Sequence, residues 1–363
     1  MELKKYYFEI GKIRPPSEGG DFSLLLRIVR NCYWNRCKFC YGSPYNREPF
    51  SLRSVEELKE EIDVVKEISE EIKRKGGMFL QVDKGFPKEQ VLLRSECFAI
   101  VSNWLASGAK TVFLQDADPP VMKTSNLVEI LNYIKKNFPS IERITSYARS
   151  KTIAFKPQEE LNLLFKAGLS RLHIGLESGD DEILKEMDKG VTSQEHILAG
   201  KKAKESGFEI SFYVMPGLGG RVRSKEHALN TAKVLNEINP DFIRLRPLVP
   251  RVGTPLYKEW QEGKFQLLSP HQLLKEMELM VNNLDITGRL CFDHLRNPCV
   301  KVIGLSYQPL FRQDYNGYKF PEEKPKVLEL FKKGLKINES KYLSTEELIE
   351  MEKDFYKIEE TKA

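Results

Sequence analysis

Short apolar runs alternate with longer amphipathic segments rich in lysine and glutamate between residues 23 and 285. The apolar runs have the length of strands, and the amphipathic segments carry apolar residues at helical spacing. The pattern predicts strands over residues 23–29, 111–115, 141–147, 171–176, 209–215 and 241–246. It predicts helices over residues 55–75, 125–136, 157–167 and 224–238, with two further helices within 181–206.

This alternation predicts an α/β fold built on a parallel sheet. Parallel neighbours joined by helices require right-handed crossovers, and six such units form either an open doubly wound sheet or a partial barrel. In both arrangements the chemistry belongs at the carboxyl-terminal ends of the strands. Candidate residues follow five of the predicted strands: the clustered cysteines, Asp116 and Asp118, Ser146, Glu177, Pro216 and Gly217.

Three segments lie outside this repeating pattern. Residues 1–22 precede the first predicted strand. Residues 76–93 are interpreted as an inserted loop or short hairpin before the helix that carries Trp104. After about residue 303, aromatic and proline-rich loops give way to short charged helices. The predicted organisation is an N-terminal segment (1–22), a core (23–260) and a mostly helical C-terminal extension (261–363).

Composition narrows the class of protein. Hydrophobic residues make up 41% of the 363 positions, which is enough for a sizeable core, and the net charge of +5 is too mild to imply nucleic-acid binding. We find no apolar window of transmembrane length and no leader peptide at the start of the chain. Six cysteines are too few for a disulfide scaffold. We expect a reduced, cytoplasmic protein without membrane contact.

Three of the cysteines, Cys32, Cys37 and Cys40, form a C-x4-C-x2-C pattern at the end of the first predicted strand. Three soft thiolate ligands suit either an incomplete zinc site or a [4Fe–4S] cluster with one open iron. Cys291 or Cys299 could complete a zinc site, but their spacing is unusual for one. The zinc interpretation corresponds to a zinc-stabilised RNA-binding protein without redox activity.

The sequence resembles the radical S-adenosylmethionine (SAM) superfamily over about residues 23–260. The resemblance rests on the cysteine loop and on two turns, Gly175-Leu-Glu-Ser-Gly179 and Val214-Met-Pro-Gly-Leu-Gly219. It is strongest to the branch that contains the elongator-type, methylthiotransferase and oxygen-independent coproporphyrinogen oxidase enzymes. The usual family spacing is C-x3-C-x2-C, so this chain has one additional residue between its first two cysteines.

The resemblance implies a partial (βα)6 TIM-like barrel and an oxygen-sensitive enzyme that requires anaerobic handling. It implies that Cys32, Cys37 and Cys40 hold a [4Fe–4S] cluster and that SAM chelates the fourth iron. One electron then cleaves SAM, and a 5′-deoxyadenosyl radical takes hydrogen from a substrate. The electron donor would be a partner such as flavodoxin or ferredoxin.

The resemblance also implies a set of SAM contacts. Phe39 would lie near the adenine, and Asp116 or Asp118 would accept from the SAM amino group. Glu177 would contact the ribose or the ammonium region. The remaining contacts would come from Ser146 and Arg149, for the ribose hydroxyls and the carboxylate, and from the backbone at Pro216 and Gly217.

Arginines near the last two strand ends favour an anionic substrate, because inward-facing guanidinium groups bind carboxylates and phosphates. These residues are Arg221, Arg223, Arg244, Arg246 and Arg251. Asp293 and His294 form a polar pair beyond the predicted barrel, and His294 is a candidate for substrate contact or proton handling. The sequence identifies neither the substrate nor the reaction.

Overall fold

The computed structural model describes residues 6–11, 22–40, 49–74, 88–302 and 306–360. The strands in these ranges are β1 (Leu24–Arg27), β2 (Val29–Arg30), β3 (Ser51–Leu52), β4 (Thr111–Gln115), β5 (Arg143–Ala148), β6 (Leu169–Glu177), β7 (Glu209–Val214), β8 (Phe242–Leu245), β9 (Arg289–Cys291), β10 (Cys299–Lys301), β11 (Tyr307–Pro309) and β12 (Tyr318–Lys319). The helices are α1 (Val55–Arg74), α2 (Lys88–Ala106), α3 (Thr124–Asn137), α4 (Ser150–Phe155), α5 (Gln158–Ala167), α6 (Asp181–Glu186), α7 (Ser193–Glu205), α8 (Ser224–Ile238), α9 (Pro255–Gln261), α10 (Pro270–Asn282), α11 (Lys324–Lys336) and α12 (Thr345–Glu360).

The main sheet has the strand order β1-β4-β5-β6-β7-β8-β9-β12. Pairing is parallel from β1 to β9, and β12 pairs with β9 in the antiparallel sense. All six predicted strands are present, so the α/β parallel-sheet prediction is confirmed. The first of them is divided into β1 and β2.

Contacts across the sheet show that it is curved. The rings of Tyr147 on β5 and Tyr213 on β7 lie 6.3 Å apart, although β6 separates their strands. Phe113 on β4 and His173 on β6 meet in the same way at 6.2 Å. These side chains therefore share a concave interior, as in a partial TIM-like barrel. We call the carboxyl-terminal edge of the parallel strands the barrel mouth.

Apolar residues on the convex face of the sheet pack against the surrounding helices. Alternation along the strands places these residues opposite the interior aromatics. Examples that are fully or almost fully buried are Leu24, Val112, Ile144, Leu172, Ile210 and Ile243. Burial of each such side chain stabilises the fold by about 1.5–3 kcal/mol.

The structure corrects the predicted organisation at residues 88–93 and adds strands to the sheet beyond residue 260. Residues 88–93 begin α2 rather than a loop or hairpin, since the run Lys-Glu-Gln-Val-Leu-Leu consists mostly of good helix formers. The earlier part of that predicted insertion, residues 76–87, lies outside the described residues. The sheet continues past residue 260 through β9 and β12, while α11 and α12 make the C-terminal region largely helical. The domain boundaries stay predictions. No helix in the described part of the chain has the length and apolar character needed to cross a bilayer.

A buried carboxylate ties helix α10 to the turn that follows β7. Glu276 Oε1 accepts the backbone N–H of Gly217 at 2.6 Å, and Oε2 accepts the Ser224 hydroxyl at 2.6 Å. Burial raises the pKa of Glu276 to about 7, because the charged form loses its solvation. The neighbouring His227 has its pKa lowered to about 4 by burial and is neutral at pH 7.

Replacing Glu276 by glutamine is expected to change how stability depends on pH. The folded chain holds this proton up to about pH 7, whereas the ordinary pKa is 4.5, so the folded state binds it more tightly. The contribution of Glu276 to the free energy of unfolding therefore decreases as pH rises between these values, by at most about 3 kcal/mol. Glu276→Gln should remove that slope in urea unfolding measured across this pH range.

The matched control is Glu278→Gln, the same substitution at a less buried position of the same helix. It should leave the slope as in the native chain. If the free energy of unfolding of Glu276→Gln changed with pH as it does in the native chain, Glu276 would not be the source of the slope.

Candidate functional site

The cysteine loop leaves the first strand at the barrel mouth. β2 ends at Arg30, and Asn31 turns the chain with a left-handed φ of 60°, a conformation in which asparagine is enriched. Its side chain accepts the backbone N–H of Cys32 at 2.7 Å. A second turn joins the Cys40 N–H to the Cys37 carbonyl at 3.2 Å. Three free thiols thus lie on one short loop, with Cys37 buried.

The cysteine loop docks against the loop between α6 and α7. Trp34 Nε1 donates to the carbonyl of Asp188 at 2.6 Å. The Trp34 ring lies against Gly190, where an added Cβ would approach Cζ2 to 2.3 Å. The backbone N–H of Lys38 donates to the Met187 carbonyl at 3.0 Å. The longer cysteine spacing is therefore accommodated by docking against a second loop.

Two cationic side chains flank the cysteine loop. Lys189 Nζ lies 3.3 Å from Glu177 Oε1. Arg149 Nη2 donates to the Lys189 carbonyl at 2.5 Å, and its guanidinium lies 5.0 Å from the ring centre of Tyr33 and 5.2 Å from that of Trp34. The Nη1 atom of Arg149 is buried without a hydrogen-bond partner among the described residues. Arg149 and Glu177, both predicted site residues, thus converge on the same place.

These charges act on the thiols. Burial raises the pKa of the Cys37 thiol, and the positive charges of Lys189 and Arg149 oppose that rise. The same cations would favour a thiolate, which is the form that binds metals. Glu177 raises the pKa of Lys189 against the effect of burial, so the lysine is charged at neutral pH.

The donor set fits an iron–sulfur cluster. Thiolates are the ligands that hold such clusters, and the two adjacent cations offset their negative charge. Within the described ranges, His, Cys, Asp and Glu side chains form no group of three or more arranged for a metal ion. In a cubane cluster each thiolate binds a different iron, so the three sulfur atoms lie farther apart than they would around a single zinc ion. The thiols of Cys291 and Cys299 donate hydrogen bonds to the carbonyls of Tyr315 and Asn297, respectively.

Asp118 lies at the end of β4 and holds the start of helix α4. One carboxylate oxygen accepts the backbone N–H of Arg149 at 3.1 Å, and the other accepts the Thr152 hydroxyl. Burial raises the pKa of Asp118 to about 6. The carboxylate therefore holds the start of α4 from the turn that follows β4, and it positions Arg149.

Asp116 forms a buried ion pair. Its Oδ2 atom accepts from Arg27 Nη2 at 2.9 Å and from Arg27 Nε at 3.1 Å. Arg27 also contacts Glu9, at 2.6 Å. The structure thus places Asp116 beside a guanidinium, and Asp116 and Asp118 are held by different partners.

The other predicted SAM contacts do not all face the barrel interior. Ser146 is buried, its hydroxyl donates to the Tyr147 carbonyl at 2.7 Å, and alternation places it on the face opposite to the interior Tyr147. Gly217 follows the buried Pro216 with a left-handed φ of 87°, which favours glycine, and is held by Glu276. Phe39 packs against an apolar cluster that is separate from the main core. The centre of its ring lies 5.9 Å from Lys189 Nζ.

Two of the arginines considered for the substrate have structural partners. Arg223 Nη2 pairs with Asp180 at 2.9 Å, and Asp180 caps helix α6. Arg221 Nε donates to the Leu267 carbonyl at 2.9 Å. Both side chains therefore secure loops around the mouth.

Arg244 and Arg246 instead meet at Asp293, directly after β9. Arg244 Nη1 lies 2.6 Å from Asp293 Oδ2, and Arg246 Nη1 lies 2.7 Å from Oδ1. His294 is beside them; burial lowers its pKa, and the positive charges of Arg246, Arg296 and Arg251 add to that effect. The structure thus brings together the arginines of β8 and the polar pair that the sequence placed beyond the barrel.

Sequence reasoning missed Lys189 and the role of Trp34. Trp34 lies between the first two cysteines, so its position offered a signal. Lys189 lies in a loop between two helices, where its residue type alone does not distinguish it from a solvent-exposed lysine.

Comparison with curated proteins finds relatives of several kinds. The tRNA uridine(34) acetyltransferase of Methanocaldococcus infernus is 26% identical over 140 residues, which cover 36% of this chain and 26% of that protein. The heme chaperone HemW of Bacillus subtilis is 24% identical over 181 residues, which cover 49% of this chain and 47% of HemW. The matched segments thus span less than half the length of these relatives.

Comparison with solved structures finds the archaeal Methanocaldococcus infernus Elp3 with an N-terminal deletion. It has a TM-score of 0.43 and 19% sequence identity, over 62% of this chain and 55% of that chain.

A sequence model described as the Radical SAM superfamily matches residues 26–232. The match covers more than half of the 363 residues and includes all three clustered cysteines, Arg149 and Glu177. The chain belongs to the radical SAM superfamily.

Proposed function

We propose that this chain is a radical SAM enzyme in which Cys32, Cys37 and Cys40 hold a [4Fe–4S] cluster. The observation that carries the proposal is the convergence of three free thiols and two buried cations, Lys189 and Arg149, at the carboxyl-terminal edge of a parallel sheet. Active sites of parallel α/β folds lie at this edge.

The residues around the cysteines would bind and orient SAM. Arg149, whose Nη1 atom has no partner among the described residues, would take the SAM carboxylate through a charge-assisted hydrogen bond. Glu177, fixed beside Lys189, would accept from the amino group or the ribose. Asp118 would act indirectly, since it positions Arg149. The ring of Phe39 would shield the adenine from water.

When bound, the cluster supplies the one electron that cleaves SAM and so generates a radical able to abstract hydrogen. That electron comes from a reductant outside the chain, for which a flavodoxin or ferredoxin is suitable. The matched relatives bear the names of a tRNA-modifying enzyme and of a heme chaperone, so the specific reaction is not transferred from them.

Replacing Cys32, Cys37 and Cys40 together by alanine should abolish the cluster, because no thiolate remains on the loop. We expect about four irons per chain in the anaerobically reconstituted protein and almost none in the triple variant, measured by iron and sulfide analysis. SAM-dependent formation of 5′-deoxyadenosine under a strong reductant should disappear with the cluster.

The control for this experiment is Cys97→Ala, since Cys97 lies in α2 and its thiol donates to the Phe8 carbonyl. It should retain the native iron content. Zinc in place of iron in the native protein, or full iron content in the triple variant, would refute the proposal.

Gly190→Ala should disturb the cysteine loop through the Trp34 ring. The new Cβ would overlap Cζ2 at 2.3 Å, and φ at this position is +68°. We expect a loss of stability of about 1–3 kcal/mol and a lower cluster occupancy, from thermal unfolding and iron analysis. Shortening the clashing side chain with Trp34→Ala should recover part of the iron content.

Gly263→Ala is the matched control, because φ is +72° there but nothing lies within 4 Å of the new Cβ. It measures backbone strain alone. Equal losses in the two glycine variants would exclude the ring contact as the cause.

Arg149→Gln should weaken SAM binding about ten- to a hundredfold, since a charge-assisted hydrogen bond is worth about 1.5–3 kcal/mol. Equilibrium dialysis of labelled SAM against the reconstituted protein measures this. Arg143→Gln, at the amino-terminal end of the strand β5 that leads to Arg149, should bind SAM as the native protein does. Native SAM affinity in Arg149→Gln, with iron content intact, would remove Arg149 from the site.

A further inference from the structure

Aromatic rings from three neighbouring strands cover part of the barrel interior. The His173 ring lies 6.0 Å from that of Tyr147 and 5.8 Å from that of Tyr213. The guanidinium of Arg246 lies 5.1 Å from the ring centre of Tyr213. Arg246 therefore borders an aromatic surface that can contact the apolar or planar part of a ligand.

Arg246 shares a single carboxylate with Arg244. Arg246 reaches Asp293 with two nitrogens, Nη1 at 2.7 Å from Oδ1 and Nη2 at 3.2 Å from Oδ2. Arg244 Nη1 lies 2.6 Å from Oδ2, and Arg244 Nε donates to the Ser211 hydroxyl at 3.1 Å. Two guanidinium groups and one carboxylate leave this trio with one positive charge in excess.

This excess charge is held away from water. The Arg244 side chain is 0% exposed, that of Arg246 is 12% exposed and that of Asp293 is 3% exposed. Arg244 Nη2 is buried and has no hydrogen-bond partner in the described part of the chain. A buried charge without full compensation is costly, so a second anion at this place would be bound favourably.

The surrounding groups do not supply that second anion. Burial and then the charges of Arg246 and Arg296 lower the pKa of His294 to about 3. His294 is therefore neutral at pH 7 and leaves the net charge of the trio unchanged. Arg296 is itself paired with Glu352 of helix α12. The charge of Glu352 is therefore balanced by Arg296, which it binds through Oε1.

We infer that Arg246, supported by Arg244 and Asp293, is the anchoring point for a carboxylate or phosphate group of the substrate at the barrel mouth. The bidentate geometry of a guanidinium matches both kinds of anion. The inference rests on the proposed function, because it places the substrate at the same sheet edge as the cysteine loop. Arg246 is the partly exposed member of the trio and would contact the ligand directly.

Anion binding to the full-length chain tests this inference. Thermal unfolding is followed while inorganic phosphate or succinate is added at constant ionic strength, with sodium chloride as the salt control. We expect a saturable rise in the unfolding temperature with at least one of the two anions. Saturation with phosphate alone indicates a phosphoryl group, and saturation with succinate alone indicates a carboxylate.

Three variants locate the binding site. Arg246→Gln should weaken anion binding about tenfold or more. Arg246→Lys keeps the charge but loses the two parallel donors of the guanidinium, so it should weaken binding less. Arg289→Gln is the control, since Arg289 is at the other end of β9 and donates to the Asn316 carbonyl. It should bind the anion as the native chain does.

Asp293→Asn provides a readout that a purely structural role would not produce. Without the competing carboxylate, both arginines lack an anion, so this variant should be less stable in chloride. It should bind the probe anion about tenfold more tightly than the native chain, and the anion should restore its unfolding temperature. Loss of stability without rescue by either anion would overturn the inference.

The inference is also overturned if neither anion saturates, or if Arg246→Gln binds as the native chain does. Loss of binding in Arg149→Gln rather than in Arg246→Gln would place the anion at the cysteine loop and would equally overturn it. Iron content and SAM binding are measured on the same samples. Absence of the cluster would refute the proposed function, while the anion titration still reports on Arg246.

Discussion

The guanidinium of Arg149 connects the three loops on which the candidate site depends. The backbone N–H of Arg149 donates to Asp118, which follows β4, and the guanidinium donates to the Lys189 carbonyl. Its planar face lies near Tyr33 and Trp34 of the cysteine loop. A lysine could not make these contacts together, because it lacks both the planar face and the forked donors. The relative placement of the thiols and the cations therefore follows from one side chain.

Charge is distributed unevenly around the barrel mouth. Lys189 and Arg149 flank the cysteines, with Glu177 as the nearby carboxylate. Across the sheet, Arg244 and Arg246 share Asp293. Arg244 and Arg246 therefore exceed their one carboxylate, whereas the two cations at the cysteines are matched by Glu177 and by Asp118 behind Arg149. Both sides are shielded from solvent. Such an interior suits negatively charged occupants: a thiolate-bound cluster on one side and an anionic group of the substrate on the other.

Acidic side chains of the outer helices hold the loops at the barrel mouth in place. Glu276 of α10 holds the Gly217 turn, and Asp180 at the start of α6 pairs with Arg223 in the loop that follows β7. Neither side chain needs to touch SAM to affect its binding. The mouth is thus supported from behind by buried hydrogen bonds, which limits the movement of the loops that carry glycine.

Long periodic segments made much of this fold predictable. The strand ending in Glu177 and the helix at 224–238 follow directly from local hydrophobic spacing, which is a property of neighbouring residues in the chain. The strand β9 was not predicted, because its three residues are too short to show a period. The cysteine spacing indicated the cluster site without reference to the structure, since ligand type and spacing are local features.

The partners of charged residues depended on the tertiary structure. Asp116 and Asp118 are two positions apart in the sequence, yet one pairs with Arg27 and the other caps α4. Lys189 reaches the cysteines across about 150 positions of the chain. The amino-acid sequence alone predicted six of the parallel strands, the order of their βα units and the candidate cysteine loop, because each is encoded by residues close together. Which carboxylate meets which cation was decided by packing, because such pairs join distant segments that only the folded sheet brings together.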